Sequence, residues 1–170
     1  MIYVIQVQPS KELRVRAELI RKSILSYVPI RELLIHKSGL WTKTRDIIFP
    51  SYVFVEIDYS AELHHLIKQT DGVLKILGAP SPLPEYESEI MRWLFNDGEI
   101  IEQSNALIDD FGNCIGYEGF LSGQDDKITY LNKRQCKASV AVKFGGRVHK
   151  ANLGIELKTA PKADDNTGQG

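Results

Sequence analysis

Four groups of residues have types and spacings that could do chemistry. His64 and His65 are adjacent, Glu85, Glu87 and Glu89 alternate, Cys114 and Cys136 are the only cysteines, and Lys133, Arg134, Lys137, Lys143, Arg147 and Lys150 fall within 18 residues that hold no acid. Neighbouring histidines on a helix point about 100° apart, so they do not readily share a metal. The glutamates stand beside a helix start, where solvated acids are favourable in any case. Two cysteines without CxxC spacing suggest a reducing compartment with neither disulfide nor zinc site. No catalytic residue, cofactor or metal is therefore expected. The basic run remains, and it suits phosphate groups or simply a solvated face.

A fifth group is apolar. "IIFPSYVFVEI", residues 47–57, carries one charge, three aromatic rings and a proline, so both faces of the strand it predicts are greasy. Strand alternation puts Phe49, Ser51, Val53, Val55 and Ile57 on one face and Pro50, Tyr52, Phe54 and Glu56 on the other. One face closes a core. The other is covered either by the chain itself or by a helix of a partner, and Pro50 points to a strand start or a sheet edge.

The formal net charge of -1 conceals a segregation that bears on partners. Residues 1–48 hold nine Lys/Arg against four Asp/Glu, residues 49–110 three against twelve, and residues 111–170 nine against six. Two basic regions flank an acidic one, a pattern compatible with nucleic acid. The chain has 170 residues and is 43% hydrophobic, enough for one ordinary core or a core with a small module. Its start lacks a secretory pattern and its apolar runs fall short of a bilayer span, so a cytoplasmic, non-membrane protein is expected.

The elements that would position these groups follow from periodicity and turn residues. "IYVIQVQ" predicts a strand, and Ser10 an N-cap for a helix over 11–25 whose stripe is Leu13, Ala17, Ile20 and Ile24. Residues 28–36 predict a strand, Gly39 a hairpin turn, and residues 41–48 the approach to the two-faced strand. Ser60 caps a helix ended by Asp71-Gly72, Val73–Leu77 is extended, and "YESEIMRWLFN" is a last helix with Ile90, Trp93 and Leu94 on one side. The order β-α-β-β-α-β predicts an α+β, ferredoxin-like sandwich with helices on one face of an antiparallel sheet. It covers residues 1–96. Polar residues 97–112 read as a linker, short strand-like pieces over 113–158 as a small β-barrel, and residues 159–170 as a disordered tail.

At "IIFPSYVFVEID" the chain resembles the NusG-type transcription elongation factors, whose FPxYxF signature follows a basic stretch like "GLWTKTRD". "IYVIQVQPSKELRV", "TDGVLKILG" and "PSPLPEYESEI" occur in the family's order, though Ser51 stands where glycine is common. Residues 2–96 thus resemble the family's N-terminal, NGN domain. "IGYEGFL" and "ASVAVKFGGRVHKANLGIEL" resemble its KOW module, an SH3-like barrel, and "NKRQCKASV" most resembles the operon-specific antiterminators of the LoaP kind.

The resemblance implies a non-enzymatic, monomeric factor that suppresses pausing or termination. It implies that Phe49, Tyr52 and Phe54, with Tyr3 as a wall, grip the clamp helices of the largest RNA polymerase subunit. It further implies that Arg14, Arg21, Lys22, Lys43 and Arg45 form a rim for non-template DNA. The barrel, through its six basic residues with Tyr117 and Phe144 nearby, is expected to meet nascent RNA; a ribosomal protein or a termination factor is the other partner the family offers it. A ribosome-associated or free RNA-binding KOW protein is the alternative.

Overall fold

In the computed structural model, which describes residues 1–162, the β-branched run Ile2–Val7 forms strand β1. It is followed by helix α1 (Glu12–Arg21), β2 (Ser26–Tyr27), β3 (Ile30–Lys37), β4 (Leu40–Ile47), β5 (Tyr52–Glu56), α2 (Ala61–Lys68), β6 (Val73–Leu77) and α3 (Glu85–Phe95). The first sheet runs β2-β5-β1-β6 and is antiparallel throughout, giving the expected α+β class. Strand β3 does not join it. It pairs with β4 in a separate hairpin, with one further bridge from Arg31 to Ile101, and the two-residue β2 takes the sheet position expected of residues 28–36.

Both sheet faces are covered, which amends the one-face expectation. Tyr3, Ile5, Val7, Val53 and Val55 pack with Val15 and Leu19 of α1 and Ile67 of α2. Ile2, Val4 and Phe54 pack on the other side with Ile90, Met91, Leu94 and Phe95 of α3. Ser60 caps α2 as expected, its Oγ accepting from the Leu63 N–H at 3.1 Å.

Helix α1 departs from its predicted stripe. Leu13 and Ile20 are 49% and 47% exposed, Ala17 faces solvent, and Val15 and Leu19 are the buried residues. The reason is Glu12, a buried carboxylate whose Oε1 accepts from the Ser51 N–H at 2.8 Å. Anchoring Glu12 inward turns the helix face that follows it. Ser10 is no cap either: its φ is 69° and Lys11 occupies the cap position without a side-chain bond.

The second sheet runs β8-β7-β11-β10-β9, built from β7 (Ser104–Ile108), β8 (Cys114–Glu118), β9 (Ile128–Asn132), β10 (Lys137–Phe144) and β11 (Arg147–Thr159). Strand β11 serves both halves of this barrel-like sheet. Residues 147–154 pair with β10 antiparallel, and residues 155–159 pair with β7 in parallel. The expected pieces "RVHKANL" and "IEL" are thus one strand.

The expected linker, 97–112, is corrected by β7, whose backbone is paired on both sides. Even the segment before it is held: the Ile101 N–H donates to the Ile30 carbonyl and the Glu32 N–H to the Ile101 carbonyl, both at 2.8 Å. Polarity misled because the few apolar side chains, Ile101 and Ala106, are buried among polar neighbours without a period, while the backbone groups are paired. Of the expected tail, Thr159 closes β11 and the Ala160 N–H donates to the Ile108 carbonyl at 2.8 Å; residues 163–170 lie outside the described residues.

Candidate functional site: an aromatic face closed by the barrel

The local turn at "FPSY" decides where the aromatic rings go. Strand β5 begins only at Tyr52, and Ser51, at φ 71°, adopts the left-handed conformation that suits a glycine there. The turn is held at both ends, by Glu12 on the Ser51 N–H and by the Val7 N–H donating to the Ser51 carbonyl at 2.8 Å. Phe49 consequently swings to the Phe54 side, correcting the alternation that put it with Val53. The two rings meet edge to face at 5.6 Å.

Phe49, Tyr52 and Phe54 do form one aromatic face, as expected, but it is not open. Phe144, at the β10–β11 turn, meets Phe49 at 5.5 Å, Tyr52 at 5.0 Å and Phe54 at 5.5 Å, all edge to face. His149 lies flat on Phe144, with centroids 3.6 Å apart and planes 4° apart, and also meets Phe49 and Tyr52. Phe49, Phe54 and Phe144 are 3%, 0% and 2% exposed. Edge-to-face geometry adds about 0.5–1.5 kcal/mol per pair beyond the area buried. The core is therefore continuous from β1 and β5 through α3 into β10 and β11.

Three further contacts fasten the barrel down. The Lys143 N–H donates to Glu87 Oε2 at 2.9 Å, and Trp93 of α3 stacks on Phe120 at 4.7 Å. At Gly154 a Cβ would stand 2.3 Å from the Glu32 carbonyl oxygen of β3, so only glycine permits that approach. Burial holds the His149 imidazole below its ordinary pKa; a bond to the Phe144 carbonyl at 3.2 Å opposes this, and Arg147 adds to it.

Sequence reasoning missed His149, Glu12 and Gly154 and misassigned Phe144, which is buried and not free to meet RNA. The turn residues Gly145-Gly146 located the β10–β11 hairpin, but no local pattern shows what its tip touches. Tyr3 is also corrected. It faces the α1–α2 side, donates to the Pro80 carbonyl at 3.1 Å and meets Tyr59, so it is no wall of the Phe49–Tyr52–Phe54 face.

The DNA candidates do not make one patch. Lys22 is committed internally, donating to the Leu66 carbonyl and Thr70 Oγ1 at 3.2 and 2.9 Å. Arg21 pairs with Glu18 at 2.6 Å and Arg14 approaches Asp71 at 3.8 Å. Lys43 and Arg45 share one face of exposed β4, and Arg45 reaches Glu32 at 3.5 Å. Among the barrel candidates, Lys133 bonds the Gly112 carbonyl, while Lys143, Arg147 and Lys150 are exposed on the β10–β11 hairpin. Arg134 and Lys137 stand beside the β3–β4 hairpin.

Of the residues considered for catalysis, four have separate partners, and Glu89 is exposed. His64 bonds Tyr59 and His65 bonds Gln69, in separate directions; Glu85 reaches Arg92 and Glu87 holds the barrel. Among the described residues no three His, Cys, Asp or Glu gather as a metal site would require. Cys114 and Cys136 are free thiols, and no described helix is long and apolar enough to cross a membrane.

Comparison with known proteins agrees with this architecture. The family model described as transcription termination factor nusG matches residues 2–92. The chain is 24% identical over 169 residues to the transcription termination/antitermination protein NusG of Lactococcus lactis, covering 89% of this chain and 88% of that one. It is 26% identical over 160 residues to the protein of the same name from Rickettsia conorii, covering 84% and 81%. A solved structure described as domain interaction in Thermotoga maritima NusG matches the fold with a TM-score of 0.55 at 18% identity, over 90% of this chain and 92% of that one.

Proposed function

Because the chain belongs to the NusG family of transcription termination and antitermination factors, we propose that its Phe49–Tyr52–Phe54 face binds the clamp helices of the largest RNA polymerase subunit. The observation that carries this reading is the composition of the face and of its cover. An aromatic surface on β5 is closed by a barrel tip from about 90 residues away in the chain, through stacked and edge-on rings that a helix bearing apolar side chains could replace.

The closed arrangement then keeps the site from polymerase until the barrel lifts. Binding of the clamp helices to the open form shifts the population toward it, and bridging the clamp to upstream DNA disfavours pausing, with no bond made or broken by this protein. Arg14, Arg21, Lys43 and Arg45 remain candidates for non-template DNA, whereas Lys22 is withdrawn. The barrel's candidate partners are nascent RNA, a ribosomal protein and a termination factor, the last two reached once it is released. The basic "NKRQCKASV" run favours RNA and supports an operon-specific role.

Polymerase retention on the immobilised full-length chain tests the reading. Gly154→Ala, which drives a methyl against the Glu32 carbonyl, should open the barrel and raise retention above wild type. Adding Tyr52→Ala should abolish the gain. No retention by either the wild type or the opened chain would favour the ribosome-associated or free RNA-binding alternative.

A further inference from the structure

The β3–β4 hairpin and the β9–β10 turn belong to different halves of the chain, yet they enclose a groove of about 460 Å³. Its lining is Leu34, Ile35, His36, Trp41, Arg134, Gln135 and Lys137, with no acid among them. Trp41 is 50% exposed and leans against His36, ring centroids 5.1 Å apart. Among the described residues no carboxylate pairs with Arg134 or Lys137, although acids and bases are nearly equal in number over the chain. An exposed indole therefore lines one groove together with two cations.

We propose that this groove binds single-stranded RNA, one base stacking on Trp41 while Arg134 and Lys137 meet the flanking phosphates. Stacking is sequence-tolerant because every base has a π-face, and cations along the groove track the backbone. A duplex keeps its bases stacked on one another and offers Trp41 no free face, so the strand must be single. Gln135 and His36 supply a donor and an acceptor beside the ring, which suits a ribose 2′-hydroxyl and favours RNA over DNA. The inference deepens the RNA-contact part of the function proposed above and requires nothing from its polymerase part. It adds two things: half of the site comes from the N-terminal domain, and the site exists only while the barrel is closed. RNA bound there and polymerase bound at the aromatic face therefore oppose each other, by linkage.

The test is fluorescence titration of the full-length chain in a Trp93→Phe background, which leaves Trp41 as the sole tryptophan. The probe is a short unstructured RNA oligonucleotide, with its DNA counterpart and an RNA duplex as comparisons. Single-stranded RNA should quench Trp41 and bind at least several-fold more tightly than either comparison. Trp41→Ala, read by anisotropy of labelled RNA, should weaken binding about tenfold, and Trp41→Phe should restore most of it. Arg134→Ala with Lys137→Ala should lower the salt slope by about 1.4. Gly154→Ala should weaken binding although every groove residue is intact. Equal affinity for DNA overturns the assignment to RNA. RNA binding that survives Trp41→Ala, without quenching in the parent, overturns the groove but leaves RNA contact elsewhere on the barrel. No RNA binding at all overturns both.

Discussion

The two faces of β5 are built from alternate residues of one five-residue strand, and they are closed in different ways. Val53 and Val55 face α1 and α2, aliphatic residues sealed by helices that are near neighbours in the chain. Tyr52 and Phe54 face α3 and the tip of a barrel that folds from the other end of the sequence. The first face is a permanent core. The second is aromatic, and its cover, Phe144 and His149, is carried on a hairpin that pairs with no strand of the first sheet.

Changes on the two faces should therefore fail in different ways. Leu19→Ala, on the permanent side, should cost about 2–5 kcal/mol and lower the denaturant midpoint of the whole N-terminal domain. Phe144→Ala should cost up to about 3 kcal/mol but mainly as domain opening, read as faster amide exchange in the β10–β11 turn with the β1–β5 amides still protected. A matching loss of protection in β1 would mean that the barrel is part of the permanent core. Phe54 is the wrong residue for such a comparison, because it contacts Phe95 of α3 as well as Phe144.

The smallest effect is that of pH. His149 is held below its ordinary pKa chiefly by burial, so the open form binds a proton more readily than the closed one. Closure is then fully stable above the ordinary histidine value of about 6.5 and weakens as pH falls through it. Arg147 works in the same direction, and the Phe144 carbonyl opposes it. Domain opening followed by amide exchange should rise with acidification in the wild type and lose most of that dependence in His149→Asn.

The same contrast explains what could be read from the sequence. Local signals acting alone were legible on both sides: the β1 run, the Ser60 cap, the two-faced strand and the Gly145-Gly146 turn are all found in place. They misled at α1, where Leu13 and Ile20 make the stronger apolar stripe but a buried Glu12, needed by the Ser51 N–H, points the other way. At the aromatic face the rings on β5 were legible from their density. Their cover was not, because His149 and Phe144 look like ordinary barrel residues and the approach that seats them depends on one glycine, Gly154, against a backbone carbonyl. Contacts between distant segments leave no period in either one.

The central claim is that barrel and polymerase occupy the same aromatic face in turn. The most direct measurement is the NMR titration of the His149 ring in the full-length chain, with and without the isolated clamp-helix segment of the largest polymerase subunit. On this account the added segment displaces the ring from Phe49 and Tyr52, its signals move to those of an exposed histidine, and its pKa rises to about 6.5. A complex that forms while the His149 shifts and pKa stay where they were would contradict the account.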